Sequence, residues 1–145
     1  VDKKNLTLRL CEILKKITSR KVYIIIGSKN KNKNKILGIK KKNFIKINKH
    51  TDFNLILNKC NLAIIAGGSV IWETLYNKIR TVVIPTAKNQ YSNVKYLKKD
   101  NIIETLLLNK LSENAIKRLL FQKKITQTRK IVDGKGLKRI YKELI

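Results

Sequence analysis

Apolar residues along this chain follow two rhythms: short unbroken runs, and longer stretches in which they recur every three or four positions. Leu6, Leu8, Leu10, Ile13, Leu14 and Ile17 fall on one face of a helix within Val1–Arg20, and Asn5 or Asp2 can cap its start. Val22–Ile26 (VYIII) is a compact apolar run of strand length, expected to be buried and ended by Gly27. A polar, low-complexity loop (Ser28–Lys35) and a short helix (Ile36–Lys42) follow. Asn43–Asn48 alternates apolar and polar residues, as a strand nearer a sheet edge does, and Thr51 or Asp52 caps a helix over Phe53–Lys59. Leu62–Ala66 reads as a strand buried on both faces, Val70–Lys78 as an amphipathic helix, and Thr81–Ile84 as a further strand stopped by Pro85. Beyond it the pattern predicts a helix over Tyr91–Lys98, a short strand in Asn101–Leu107 and a helix opened by Ser112 that runs to about Lys123. A short helix over Thr126–Val132 is broken at Asp133–Gly136, and a last helix covers Leu137–Leu144.

Helix and strand alternate from end to end, which defines an α/β chain with an open, mostly parallel, Rossmann-like sheet and helices on both faces. Its 145 residues, 43% of them hydrophobic, suit one hydrophobic core. No apolar run approaches the ~20 residues that span a bilayer, and no signal peptide is visible. Cys11 and Cys60 belong to no CxxC or Cys/His cluster, so they read as buried thiols of a reducing cytoplasm, and no metal site or cofactor is expected. The net charge is +25, from 34 Lys and Arg against 9 Asp and Glu. A basic nucleic-acid-binding module is one reading of that excess. The cations are mostly Lys, however, they are spread over nearly every segment, and Asn and Ile rise with them, as the codons of an AT-rich genome dictate. Nucleic acid is therefore not the expected partner. The milder consequence is a positive field that attracts anionic nucleotide-sugars and, weakly, an acidic membrane surface.

The candidate chemistry lies between Cys60 and Asn93. Strand, Gly67-Gly68-Ser69, helix and strand make one βαβ unit. Two glycines allow a sharp turn and remove the Cβ atoms that would hold a ligand away. The free N–H groups at the helix start, with Val70 first, favour an anion such as phosphate. Ser69 can serve as N-cap and offer its hydroxyl to the same anion. Glu73, one helical turn further on, suits the hydroxyl pair of a ribose. A plain glycine turn with a solvated glutamate satisfies the same spacing. In the loop after Pro85, Asn89 and Gln90 can donate and accept toward sugar hydroxyl or acetamido groups, or bond to their own loop. Gly27 and Ser28 follow another strand and can border the same nucleotide. The helix start near Asn5 is either a second anion-binding turn or an ordinary loop. By the handedness rule the loops after Ile26, Asn48, Ala66 and Pro85 fall at one sheet edge and converge on one crevice.

Ala66-Gly67-Gly68-Ser69, Trp72-Glu73 and Lys88-Asn89-Gln90 resemble the C-terminal half of two-domain glycosyltransferase-B proteins. They look most like the UDP-2,4-diacetamido-2,4,6-trideoxy-β-L-altropyranose hydrolases of pseudaminic acid biosynthesis, relatives of the N-acetylglucosaminyltransferase of peptidoglycan synthesis. Val1–Thr7, Val22–Asn30 and Val132–Gly136 are weaker matches on either side. The resemblance implies that residues 1–145 form a nucleotide-sugar-binding C-terminal domain, lacking an N-terminal catalytic domain and a first strand. It implies that Gly67, Gly68, Ser69 and Val70 hold the diphosphate, Glu73 the ribose, and Asn89 and Gln90 the sugar, with Gly27 and Ser28 at the margin. The stretch from Asn48 to His50 becomes a candidate for the base. The family's catalytic histidine belongs to the N-terminal domain, so no catalytic residue is assigned here and His50 does not take that place. The chain alone is expected to be inactive. A UDP-sugar glycosyltransferase would use the same crevice and pass the sugar to an acceptor.

Overall fold

A computed structural model describes residues 2, 4–47, 53–122 and 132–144. The chain forms two compact units, Val1–Phe53 with Leu107–Lys123, and Asn54–Leu106 with Lys124–Ile145. Each contains a parallel sheet with helices, so the α/β class read from the pattern is what the chain adopts.

In the first unit α1 spans Leu6–Ile17 and buries Leu6, Leu10, Cys11 and Leu14, the helical stripe expected of it. Asp2, rather than Asn5, caps it: the two Asp2 carboxylate oxygens accept the N–H groups of Leu6 and Thr7, each at 2.8 Å. Asn5 sits in the left-handed region with φ 55° and makes no side-chain cap. The strands β1 (Val22–Ile25) and β2 (Phe44–Ile47) pair in parallel, Val22 opposite Phe44 and Ile25 opposite Ile47. Ile24 and Phe44 are buried, whereas Ile25 and Ile45 on the other face are 42% and 37% exposed, so β1 is covered on one face only. Its unbroken apolar run implied two covered faces, and composition alone does not distinguish the cases.

The helix α2 (Lys33–Gly38) starts earlier than the polar run suggested and stops sooner. A turn prepares it. The Asn30 side chain accepts the N–H of Asn32, and the Asn30 carbonyl accepts that of Lys33. Ile36, with no exposure at all, anchors the helix to the core. The Lys46 ammonium reaches the carbonyls of Leu37 and Ile39 at 2.7 and 2.6 Å, filling acceptors that the helix end leaves open. After a 3₁₀ turn at Leu108–Lys110, α6 (Glu113–Phe121) opens where expected, the Ser112 hydroxyl accepting the Ala115 N–H at 3.2 Å. It packs against α1, with an exposed ion pair from Lys16 to Glu113 and the Arg20 guanidinium over the Phe121 ring.

The second unit contains α3 (Phe53–Leu57), β3 (Leu62–Ile65), α4 (Val70–Tyr76), β4 (Arg80–Val83), α5 (Tyr91–Lys99), β5 (Glu104–Thr105) and α7 (Gly136–Leu144). The strand order is β3-β4-β5, all parallel, with Leu62 opposite Arg80 and Val82 opposite Glu104. The centre of the sheet is dry: Val82, Val83 and Ile84 have no exposure, and Ile71, Leu75, Val94, Leu97 and Ile103 close around Val83. Every residue of β3 is only half-buried, against the expectation for Leu62–Ala66. Among the described residues it is paired on one edge alone, to β4. The strand read within Asn101–Leu107 shrinks to two residues, because Asn101 turns through φ 54° just before it.

Two polar contacts inside this unit have no signal in the hydrophobic pattern. Thr74 and Thr81 are fully buried with their hydroxyls 2.9 Å apart, each also bonded to a backbone carbonyl. Arg80 on β4 grips Glu104 on β5 through Nε and Nη2 at 2.6 and 3.0 Å, with the side chains 14% and 11% exposed. Burial pushes the Cys11 thiol up to about 11, and that of Cys60 upward as well, which suppresses thiolate reactivity at both. No described helix is long and apolar enough to cross a membrane.

Candidate functional site

The glycine turn stands where the carboxyl end of β3 hands over to α4, on the strand next to the buried β4. Gly67 has φ +84°, a conformation that side chains rarely adopt. A Cβ there would stand 3.0 Å from Cγ1 of Val83, 3.5 Å from Oε1 of Gln90 and 3.5 Å from Cγ2 of Val94. Gly67 is thus required by the protein's own packing. Gly68 differs: a Cβ on it would meet nothing within 4 Å. Among the described residues the missing side chain at Gly68 serves no neighbour, and the backbone there is open.

The N–H groups of Ile71 and Trp72 are consumed within the turn by the carbonyls of Gly68 and Ser69, at 3.1 and 3.0 Å. Those of Gly68, Ser69 and Val70 meet no acceptor among the described residues. Ser69 departs from expectation. It occupies the N-cap position of α4, yet its hydroxyl makes no capping bond. A capping side chain needs an extended backbone, and Ser69 is already helical at φ −56° and ψ −25°. Ser69 is exposed, and its hydroxyl makes no hydrogen bond among the described residues. Glu73 lies in the first turn of α4 with an exposed side chain, where a carboxylate also suits the positive end of the helix.

The loop after β4 carries Asn89 and Gln90 on a 3₁₀ turn, Lys88–Gln90. Their roles diverge. The Gln90 carbonyl oxygen accepts the N–H groups of Thr86 and Ala87 at 2.9 and 3.2 Å and so braces the loop that follows Pro85. That brace lies against Gly67, which brings the two candidate loops of this unit together at the carboxyl ends of adjacent strands. Asn89 is exposed, with no side-chain hydrogen bond among the described residues. Gln90→Leu, which removes the acceptor, should cost about 1–2 kcal/mol in urea denaturation, whereas Gln90→Glu, which keeps an oxygen in place, should cost less.

The remaining candidates belong to the first unit or lie outside the described residues. Gly27 and Ser28 follow β1 in the first unit, both exposed, with open space over Gly27 and its carbonyl accepting the Asn30 N–H at 3.0 Å. Asn48, His50 and the capping residues Thr51 and Asp52 lie outside the described residues, as do residues 126–131 of the short helix expected there. The start of α1 is already filled by the Asp2 carboxylate, so the second anion-binding turn considered for it is replaced by an internal cap. Among the described residues no group of three or more His, Cys, Asp or Glu could hold a metal.

A parallel α/β unit with a tight glycine turn after a strand, free N–H groups over it and a polar loop beside it is the architecture of a nucleotide-binding domain. The chain matches the glycosyltransferase family 28 C-terminal domain over residues 3–144 and belongs to that family. It is therefore a glycosyltransferase-B-like C-terminal domain of the kind that binds a nucleotide-sugar donor. No curated protein matches the chain.

Proposed function

We propose that the chain holds a UDP-sugar over the Gly67–Val70 turn and serves a hydrolase that releases UDP from a diacetamido-trideoxy sugar. The observation that carries this reading is the open face of Gly68, flanked by N–H groups that meet no acceptor among the described residues, in a chain of a nucleotide-sugar-binding family. In it the N–H groups of Gly68, Ser69 and Val70 and the Ser69 hydroxyl take the diphosphate. Fixed donors of this kind stabilise the charge that collects on UDP as the anomeric C–O bond breaks. Gly67 shapes the turn. Glu73 accepts from the ribose hydroxyls, and Asn89 reaches the sugar. Gln90 acts by holding the loop, with its amide N–H₂ left to donate. Gly27 and Ser28 are proposed as marginal contacts. Residues 1–145 act as one nucleotide-sugar-binding domain, and the water-activating histidine comes from a further, N-terminal domain, so this chain alone binds without turning over.

The hydrolytic outcome rests on the likeness of Ala66–Ser69, Trp72-Glu73 and Lys88–Gln90 to the pseudaminic acid enzymes. A second reading, transfer of the sugar to an acceptor, is favoured by the family match itself. Both need the same donor site. Calorimetric titration with UDP, with AMP as control, tests that site. UDP-selective binding should weaken about tenfold in Glu73→Ala, the loss of one or two hydrogen bonds to a charged acceptor. Equal, weak uptake of every anion, unchanged by the substitution, would show that the +25 charge acts alone and would sink the reading. Discrimination between hydrolase and transferase then follows from supplying UDP-sugar to the protein joined with its N-terminal domain, with and without acceptor.

A further inference from the structure

Trp72, the only tryptophan, stands in the first turn of α4, four residues after Gly68 and three after Ser69. It is 43% exposed. Its backbone N–H is held by the Ser69 carbonyl at 3.0 Å, while the indole N–H meets no acceptor among the described residues. Core packing does not account for it: α4 buries Ile71, Thr74 and Leu75, and Trp72 falls outside that arc. The next aromatic on the same stripe, Tyr76, has a structural use. Its ring closes over Gly134, where a Cβ would stand 3.2 Å from it. No comparable use is found for the indole.

Position around the helix assigns the side that Trp72 faces. At about 100° per residue, Glu73 and Asn77 share one flank, and the Asn77 amide donates to the Asn54 side chain of α3 at 3.2 Å. Trp72 falls on the other flank, about 60° from Leu75, which shares a core cluster with Val94 and Leu97 of α5. The turn that carries Asn89 leads directly into α5. Helical side chains also lean toward the helix N-terminus, so an indole at position 72 is carried back toward Gly68 and Ser69. It leaves the space over Gly68 open, since a Cβ there would meet nothing within 4 Å. With a diphosphate over the turn and a ribose at Glu73, the flank of Trp72 and Asn89 is the one left for the sugar. We propose that Trp72 selects the donor sugar, its ring taking the apolar C–H face and an acetamido methyl while the indole N–H donates to a sugar oxygen. The inference rests on the donor reading of the Gly67–Val70 turn. A flat apolar surface with a single donor favours a sugar that carries methyl-bearing groups in place of hydroxyls. Each buried methyl adds affinity, and each hydroxyl pressed on the ring loses its water.

The test is calorimetric titration of the full chain with UDP, UDP-glucose and UDP-N-acetylglucosamine, the last two differing by one acetamido group in place of a hydroxyl. The wild type should prefer UDP-N-acetylglucosamine to UDP-glucose by about fourfold, the worth of one buried methyl. Trp72→Ala should erase that preference and still bind UDP as the wild type does. Trp72→Phe, which keeps a ring, should retain part of it. The fluorescence of Trp72, with no second indole to mask it, should change with UDP-N-acetylglucosamine beyond any change that UDP produces. Circular dichroism checks that each variant stays folded. An equal loss of all three ligands in Trp72→Ala would assign the residue to the nucleotide or to the fold and overturn the proposal. So would a wild type without the preference, or a preference that survives Trp72→Ala. The two readings fail separately. A wild type that binds UDP no better than AMP overturns the donor site and this inference with it, whereas UDP-selective binding with sugars treated alike by wild type and Trp72→Ala overturns this inference alone.

Discussion

Gly67→Ala should destabilise the protein by about 2–4 kcal/mol, while Gly68→Val, one residue on, should change stability by less than about 0.5 kcal/mol and abolish nucleotide binding. The first figure has two parts. A left-handed backbone costs an alanine about 1–2 kcal/mol, and the new Cβ meets Val83 Cγ1 at 3.0 Å. Val83 has no exposure and sits in the central strand, so it has nowhere to yield. At Gly68 the added side chain enters open space, so the fold is indifferent, but that space is what the proposed diphosphate needs. Urea denaturation followed through Trp72, the only tryptophan, reports on the unit that contains both glycines. Titration with UDP supplies the other axis. A Gly68→Val protein that binds UDP as wild type does would remove the diphosphate from this turn. If Gly67→Ala left stability unchanged, the packing argument would be wrong.

Breaking the Arg80–Glu104 pair should cost about 3 kcal/mol from either side, through Arg80→Met or Glu104→Gln. The charges are 11–14% exposed and meet through two hydrogen bonds, so Arg80→Met leaves the Glu104 carboxylate charged and poorly solvated, and Glu104→Gln takes the paired carboxylate from Arg80. An apolar pair, Arg80→Met with Glu104→Leu, should recover most of the loss, because neither charge then remains to be solvated. The contact also has a topological consequence. β5 is two residues long, too short to hold its place by backbone bonds alone, and the ion pair ties it to β4. A double-mutant cycle in the same urea assay measures the coupling. Additive losses, with no recovery in the double variant, would show that the two residues act separately.

These effects differ in how far they could be foreseen. Helices and strands declare themselves through periodicity, since a face that must be buried repeats at the spacing of its own geometry. Leu6, Leu10 and Leu14 line α1 for that reason, and the run before Gly67 forms β3. Ser112 opens α6 because a hydroxyl at that spacing bonds the third N–H beyond it. The glycine turn, and the glycosyltransferase-B-like C-terminal domain that contains it, were legible in Ala66–Ser69 and the residues after it.

Local pattern carried no information about what lies opposite. An apolar run has the same composition whether its strand is covered on one face or two, so the exposure of Ile25 and the half-burial of β3 had no signature. Ser69 carries the right atom for a cap in the wrong backbone conformation, and Asp2, with two oxygens, took the equivalent position at α1. Gln90 and Asn89 are interchangeable as amides in a polar loop, until three-dimensional placement puts one under Thr86 and the other in solvent. Neither the partners Arg80 and Glu104 nor the unlike duties of Gly67 and Gly68 can be told from spacing. The sequence by itself determined the elements, their α/β order and the glycine turn between β3 and α4, because those depend on neighbours along the chain. Which glycine the fold needs, which amide braces a loop and which charges meet depend on atoms brought from distant positions, and only the tertiary structure decided them.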